Sequence, residues 1–122
     1  MRILLADDEP DILMLYGDML QGNGHEVVKA ENGREVLEEL AGGGFDLLVL
    51  DLFMPEIDGF RALKQLRDRG DEVPVIVMTG HFPDEVVNKG IQNSGVSEVL
   101  RKPVMISALL NAVNRVASET EG

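Results

Sequence analysis

Apolar residues fall along this chain in two rhythms, short unbroken runs and stripes that recur every three or four positions. Ile3-Leu4-Leu5-Ala6, Leu47-Leu48-Val49-Leu50 and the stretch from Val73 to Met78 are aliphatic runs. Such runs read as strands buried on both faces, as in a parallel sheet. Val27-Val28 and Glu98-Val99-Leu100 read as two shorter strands. Between the runs, Ile12, Leu13, Tyr16, Met19 and Leu20 recur at helical spacing behind Pro10, which suits a first helical turn, until Gly22-Asn23-Gly24 stops the pattern. Val36, Leu37 and Leu40 mark a second helix between the Asn32-Gly33 turn and Gly42-Gly43-Gly44; Phe60, Leu63 and Leu66 mark a third. Ile106, Leu109, Leu110, Val113 and Val116 mark the last.

The segment from Asp84 to Ser94 predicts a weak fourth helix, because Val86, Val87 and Ile91 are its only anchors among modest or poor helix formers. Low local stability is where movable elements are found, although a short, poorly packed surface helix explains the same pattern. Five strands alternating with five helices imply an α/β fold, a flavodoxin-like doubly wound parallel sheet with strand order 2-1-3-4-5. The ligand crevice of such a sheet lies at the carboxyl ends of its strands. The glycine triplet is no phosphate loop, since it follows a helix and precedes a strand.

At 122 residues the chain suits one domain over residues 1–122, with a core from about 2 to 117 and residues 118–122 as a tail or the start of a linker. Its 44% apolar and 27% charged residues form an ordinary globular balance. The 22 acidic residues against 11 basic ones leave a formal charge of −11, which disfavours direct binding to nucleic acid or to an anionic membrane. There is no cysteine, hence no thiol chemistry. The apolar run before Asp7 is too short for a signal-peptide core, so a cytoplasmic location is expected.

The polar residues that follow the runs change the picture. Asp7 and Asp8 follow the first run and Asp51 follows the third strand, so a parallel sheet delivers three carboxylates to one rim. Like charges about 4 Å apart repel by roughly 4 kcal/mol at an effective dielectric near 20. A lone Asp after a strand often serves only to cap the next helix; two adjacent ones converging on a third point to a bound cation or a shifted carboxyl pKa. All-oxygen ligands favour Mg²⁺, Mn²⁺ or Ca²⁺. The fourth strand ends in Thr79-Gly80, a hydroxyl beside a residue that permits close backbone approach, and the fifth runs into Arg101-Lys102-Pro103.

In this order of acid pair, acid, hydroxyl and lysine, the chain resembles the receiver domain of two-component response regulators, from Arg2 to about Ala117. The stretches that carry the resemblance are Leu5-Ala6-Asp7-Asp8-Glu9-Pro10, Leu50-Asp51-Leu52-Phe53-Met54-Pro55 with Asp58-Gly59, Val77-Met78-Thr79-Gly80 and Leu100-Arg101-Lys102-Pro103. The resemblance implies that Asp51 is the phosphoacceptor, that Thr79 bonds the phosphoryl oxygen and that Lys102 pairs with it. It further implies Mg²⁺, with Mn²⁺ as a substitute, held by Asp8, Asp51 and the backbone carbonyl of Phe53, with Asp7 acting through water. Lys102-Pro103 resembles the family's cis peptide.

The implied activity is Mg²⁺-dependent phosphoryl transfer from a sensor histidine kinase or a histidine phosphotransfer protein to Asp51, which switches a surface read by a downstream protein or by an output domain absent from this chain. A phosphorylation-dependent homodimer is compatible with it. Such a domain is no enzyme in the usual sense, since it catalyses only its own phosphorylation and dephosphorylation. Phe53 and His81 stand where the family's residues overlook the attacking water, so slow loss of the phosphoryl group is expected. Val99 occupies the position of the family's switching aromatic and has no ring to relocate, so the expected moving part is the segment from Gly80 to Ser94.

Three other readings differ at named residues. A flavin-binding electron carrier needs a hydroxyl- and glycine-rich loop after its first strand, where Asp7-Asp8 would repel phosphate. An aspartate-nucleophile phosphatase needs a second acid two residues past its nucleophile, where this chain has Phe53. A degenerate receiver, acting as an unphosphorylated interaction module, would lack some of the acids, hydroxyl or lysine, all of which are present.

Overall fold

The computed structural model describes residues 1–52, 54, 58–80 and 94–121. Five strands, β1 (Arg2–Ala6), β2 (Glu26–Ala30), β3 (Leu47–Asp51), β4 (Val75–Thr79) and β5 (Glu98–Arg101), form one parallel sheet in the order β2-β1-β3-β4-β5. Among the described residues four helices accompany them: α1 (Pro10–Gly22), α2 (Gly33–Ala41), α3 (Gly59–Asp68) and a C-terminal helix (Ile106–Glu121). This is the flavodoxin-like doubly wound sheet that the alternation of runs and stripes predicts. The weak helix expected over 84–94 lies, Ser94 apart, outside the described residues. None of the described helices is long and apolar enough to cross a membrane.

The unbroken apolar runs are explained by burial on both faces. Leu4, Leu48, Leu50, Val75 and Val77 pack with Val36 and Leu40 of α2 and Leu63 and Leu66 of α3. The alternate residues Ile3, Leu5, Leu47, Val49, Ile76 and Met78 pack with Leu13, Tyr16 and Leu20 of α1 and with Leu109 and Val113 of the C-terminal helix. Side-chain alternation along each strand thus feeds two apolar layers, leaving no solvent-facing position in the three central strands apart from the half-buried Arg2.

Several boundaries differ from the sequence reading. β4 begins at Val75 rather than Val73, because Pro74 has no N–H to give the ladder; its carbonyl still accepts from Leu48 N–H at 2.9 Å. Asp51 and Thr79 are the last residues of their strands rather than the first residues beyond them. The C-terminal helix carries on to Glu121, through residues read from sequence as a tail. α2 and α3 begin at side-chain caps, Asn32 accepting from Glu35 N–H at 2.9 Å and Asp58 from Arg61 N–H at 2.7 Å.

Candidate acidic site at the carboxyl edge of the sheet

Strand register brings the candidate residues together. Ala6 lies opposite Leu50, Asp51 opposite Met78 and Thr79 opposite Arg101, so β1, β3, β4 and β5 end nearly level. Carboxylate oxygens of Asp7, Asp8 and Asp51 lie within 4.8 Å of one another. Asp7 and Thr79 are fully buried and Asp51 is 3% exposed, whereas Asp8 is open to solvent. The acid pair therefore has one inner and one outer member.

Asp7 accepts a hydrogen bond on each of its carboxylate oxygens. Its Oδ1 accepts from Glu9 N–H at 2.9 Å, bracing the entry to α1, whose N-cap residue Glu9 makes no side-chain cap of its own. Its Oδ2 accepts from Lys102 Nζ at 2.7 Å, and the same ammonium lies 3.2 Å from Asp51 Oδ2. Lys102 thus stands between two buried carboxylates as their counterion, a place that sequence reasoning missed by assigning it to the phosphoryl group alone. The available signal was charge balance, three acids and one lysine at a single rim. The backbone of Lys102 is fixed by its N–H, which donates to the Thr79 carbonyl at 2.8 Å and extends the β4–β5 ladder by one rung. The Lys102–Pro103 peptide is cis.

Burial works against the Lys102 charge, but the hydrogen bonds and charges of Asp7 and Asp51 outweigh it and hold the ammonium above the usual lysine value. Burial also pushes the Tyr16 phenol up. Both groups hold their protons more tightly folded than unfolded, so their contribution is fully present below the unfolded pKa values, near 10, and is lost as pH rises through the folded ones. Urea melts from about pH 8 to about pH 11 are expected to show constant stability and then a decline setting in near pH 10. The decline should be shallower in Lys102→Met, and stability that rises over this range would contradict the linkage.

The other residues singled out divide by what surrounds them. A Cβ added at Gly80 would meet only Lys102 Cβ, at 3.9 Å, so there is room beside Thr79. Val99 is 38% exposed on the edge strand β5. Pro103 is exposed, in the turn after β5. Phe53 and His81 lie outside the described residues, as does the segment 81–93. The donor set of three convergent carboxylates, all oxygen, fits a hard divalent cation such as Mg²⁺ rather than a thiophilic metal.

Residues 3–114 match the family model described as the response regulator receiver domain. The chain is 34% identical over 119 residues to response regulator MprA of Mycolicibacterium vanbaalenii, covering 98% of this chain and 51% of that protein. It therefore spans about half the length of that relative. It is 34% identical to chemotaxis protein CheY of Bacillus subtilis, covering 93% of this chain and 95% of that one. Among solved structures it is similar to response regulator TrrA of Thermotoga maritima in complex with Mg(2+)-BeF, at a TM-score of 0.81 and 30% identity, covering 94% of this chain and 97% of that one. Sequence, sheet order and acidic pocket agree over nearly the whole chain, which belongs to the receiver domains of two-component response regulators.

Proposed function

We propose that the protein is a phosphoacceptor switch, in which Asp51 receives a phosphoryl group from a phosphohistidine of a sensor kinase or phosphotransfer protein. The observation that carries this reading is the convergence of Asp7, Asp8 and Asp51 on one rim with Lys102 among them. In the step, an Asp51 carboxylate oxygen forms a bond to phosphorus as the donor's P–N bond breaks. The imidazole leaves with the electron pair and takes its proton from solvent.

Phosphoryl transfer asks a protein for little beyond a nucleophile in line and stabilisation of the charge on the transferred group. Lys102, already 3.2 Å from Asp51, supplies a donor and a positive charge at that point. Thr79, buried at the end of the neighbouring strand, offers a hydroxyl for a phosphoryl oxygen. Mg²⁺ bound by Asp8 and Asp51 would supply neutralisation of the phosphoryl charge; Asp7, engaged by Lys102 and by Glu9 N–H, would act on it indirectly. The occurrence of Mg(2+)-BeF in the similar TrrA structure supports this choice of cation and of phosphoryl chemistry. Once phosphorylated, Asp51 carries more negative charge and additional acceptor oxygens, which draw on Thr79 and Lys102 and bias the loops that carry them. A downstream protein, or an output domain beyond this chain, reads the change.

Mg²⁺ is expected to stabilise the native state by about 2.7 kcal/mol at 100 times its Kd, because the unfolded chain has no converged carboxylates. Beryllofluoride, as a phosphoryl mimic, should add further stabilisation only when Mg²⁺ is present. Asp8→Ala should abolish most of both gains. A wild-type melting temperature unmoved by saturating Mg²⁺ would remove the metal from the account.

A further inference from the structure

We infer that Tyr16 is a positioning residue for Lys102: its buried hydroxyl, bonded to the Val104 backbone, fixes the loop that aims the ammonium at Asp7 and Asp51. The kinetic part of this inference rests on the phosphoacceptor reading; the geometric part does not. Tyr16 sits on α1, the helix that begins directly after the acid pair. Its hydroxyl donates to the Val104 carbonyl oxygen at 2.7 Å, a buried bond between residues 88 apart in sequence. Val104 is two residues past Lys102 and only 7% exposed.

The surroundings make this bond decisive for the loop. Tyr16 and Val104 share an apolar cluster with Leu5, Leu13, Met78 and Leu109. A carbonyl moved away from its donor in such surroundings would bear a desolvation penalty, so the loop is held where the hydroxyl can reach it. Lys102 is then fixed on both sides, upstream by its own N–H on Thr79 and downstream by Tyr16 through Val104. With both anchors in place the ammonium stands 2.7 Å from Asp7 and 3.2 Å from Asp51. An aliphatic side chain at position 16 would fill the same stripe without this directional tie. The hydroxyl thus closes a ring that runs from Asp7 through α1 and Tyr16 to Val104 and Lys102, and back to Asp7.

The test compares the wild type, Tyr16→Phe and Val113→Ala, the last opening space in the same apolar cluster without touching the bond. In metal-free protein labelled at lysine, the side-chain resonance of Lys102 should stand apart from those of Lys29, Lys64 and Lys89. It should move toward them in Tyr16→Phe and stay in place in Val113→Ala. In the kinetic arm, with acetyl phosphate and saturating Mg²⁺, Tyr16→Phe should slow phosphorylation of Asp51 by about 3- to 10-fold, the scale of one lost buried hydrogen bond. In a Lys102→Ala background the same substitution should change the rate by less than about 1.5-fold, since an effect exerted through the lysine disappears with it. A Lys102 resonance unmoved by Tyr16→Phe, or moved as far by Val113→Ala, would overturn the inference. So would a slowing that persists undiminished without Lys102. A wild type that takes up no phosphate would instead overturn the phosphoacceptor reading, and the resonance comparison would still decide the role of Tyr16.

Discussion

Asp51→Asn is expected to fold as the wild type does and to take up no phosphoryl group from acetyl phosphate or from a kinase. The substitution keeps the shape of a buried side chain, and it removes one of three converging carboxylates, so their mutual repulsion falls. Lys102 keeps its shorter contact, 2.7 Å to Asp7, and the ammonium is not stranded. What disappears is the anionic carboxylate at the end of β3 proposed as the nucleophile, for which a neutral amide is no substitute. The expected effect is complete loss of the mass increase. A normal increase in this variant would place the acceptor elsewhere.

Gly59→Ala is expected to be strongly destabilising. Gly59 opens α3 and is buried, with its N–H donating to the Leu52 carbonyl at 2.9 Å. A Cβ there would overlap the carbonyl oxygen of Asp51 and stand 2.7 Å from Leu52 Cα. Both neighbours are backbone, so no side chain can turn aside, and the end of β3 or the start of α3 must shift. Overpacking costs about 1–3 kcal/mol where side chains can adjust, and here about 3 kcal/mol or more is expected, lowering the melting temperature by about 10 °C. Because the displaced atoms belong to Asp51 itself, phosphorylation should suffer beyond the loss of stability. Gly22→Ala is the control: nothing lies within 4 Å of its added Cβ, and the melting temperature should hold or rise. Equal behaviour of the two alanine variants would refute the close-approach explanation.

The sheet was legible in the sequence because strands buried on both faces leave unbroken aliphatic runs, as at Leu47–Leu50. The acidic rim was legible for a related reason: parallel strands all deliver their ends to one edge, so Asp7, Asp8 and Asp51 could be placed together without knowing any side-chain conformation. What periodicity does not carry is direction within a face. It put Tyr16 in the apolar stripe of α1 and said nothing of its hydroxyl, although a buried phenol needs a partner and that need was a usable signal. Lys102 was placed at the right strand end, yet its bridging of Asp7 and Asp51 depends on side-chain reach across two neighbouring strands. Gly59 showed only as part of a motif; the contact that requires glycine is made with backbone seven and eight residues earlier in the chain.

The central claim is most directly tested by the intact mass of the wild-type protein incubated with acetyl phosphate, once with Mg²⁺ and once with a chelator. A gain of a single phosphoryl unit with Mg²⁺ and none with the chelator is the predicted result. No gain with Mg²⁺, or the same gain in both samples, would contradict an Mg²⁺-dependent phosphoacceptor at the acidic rim.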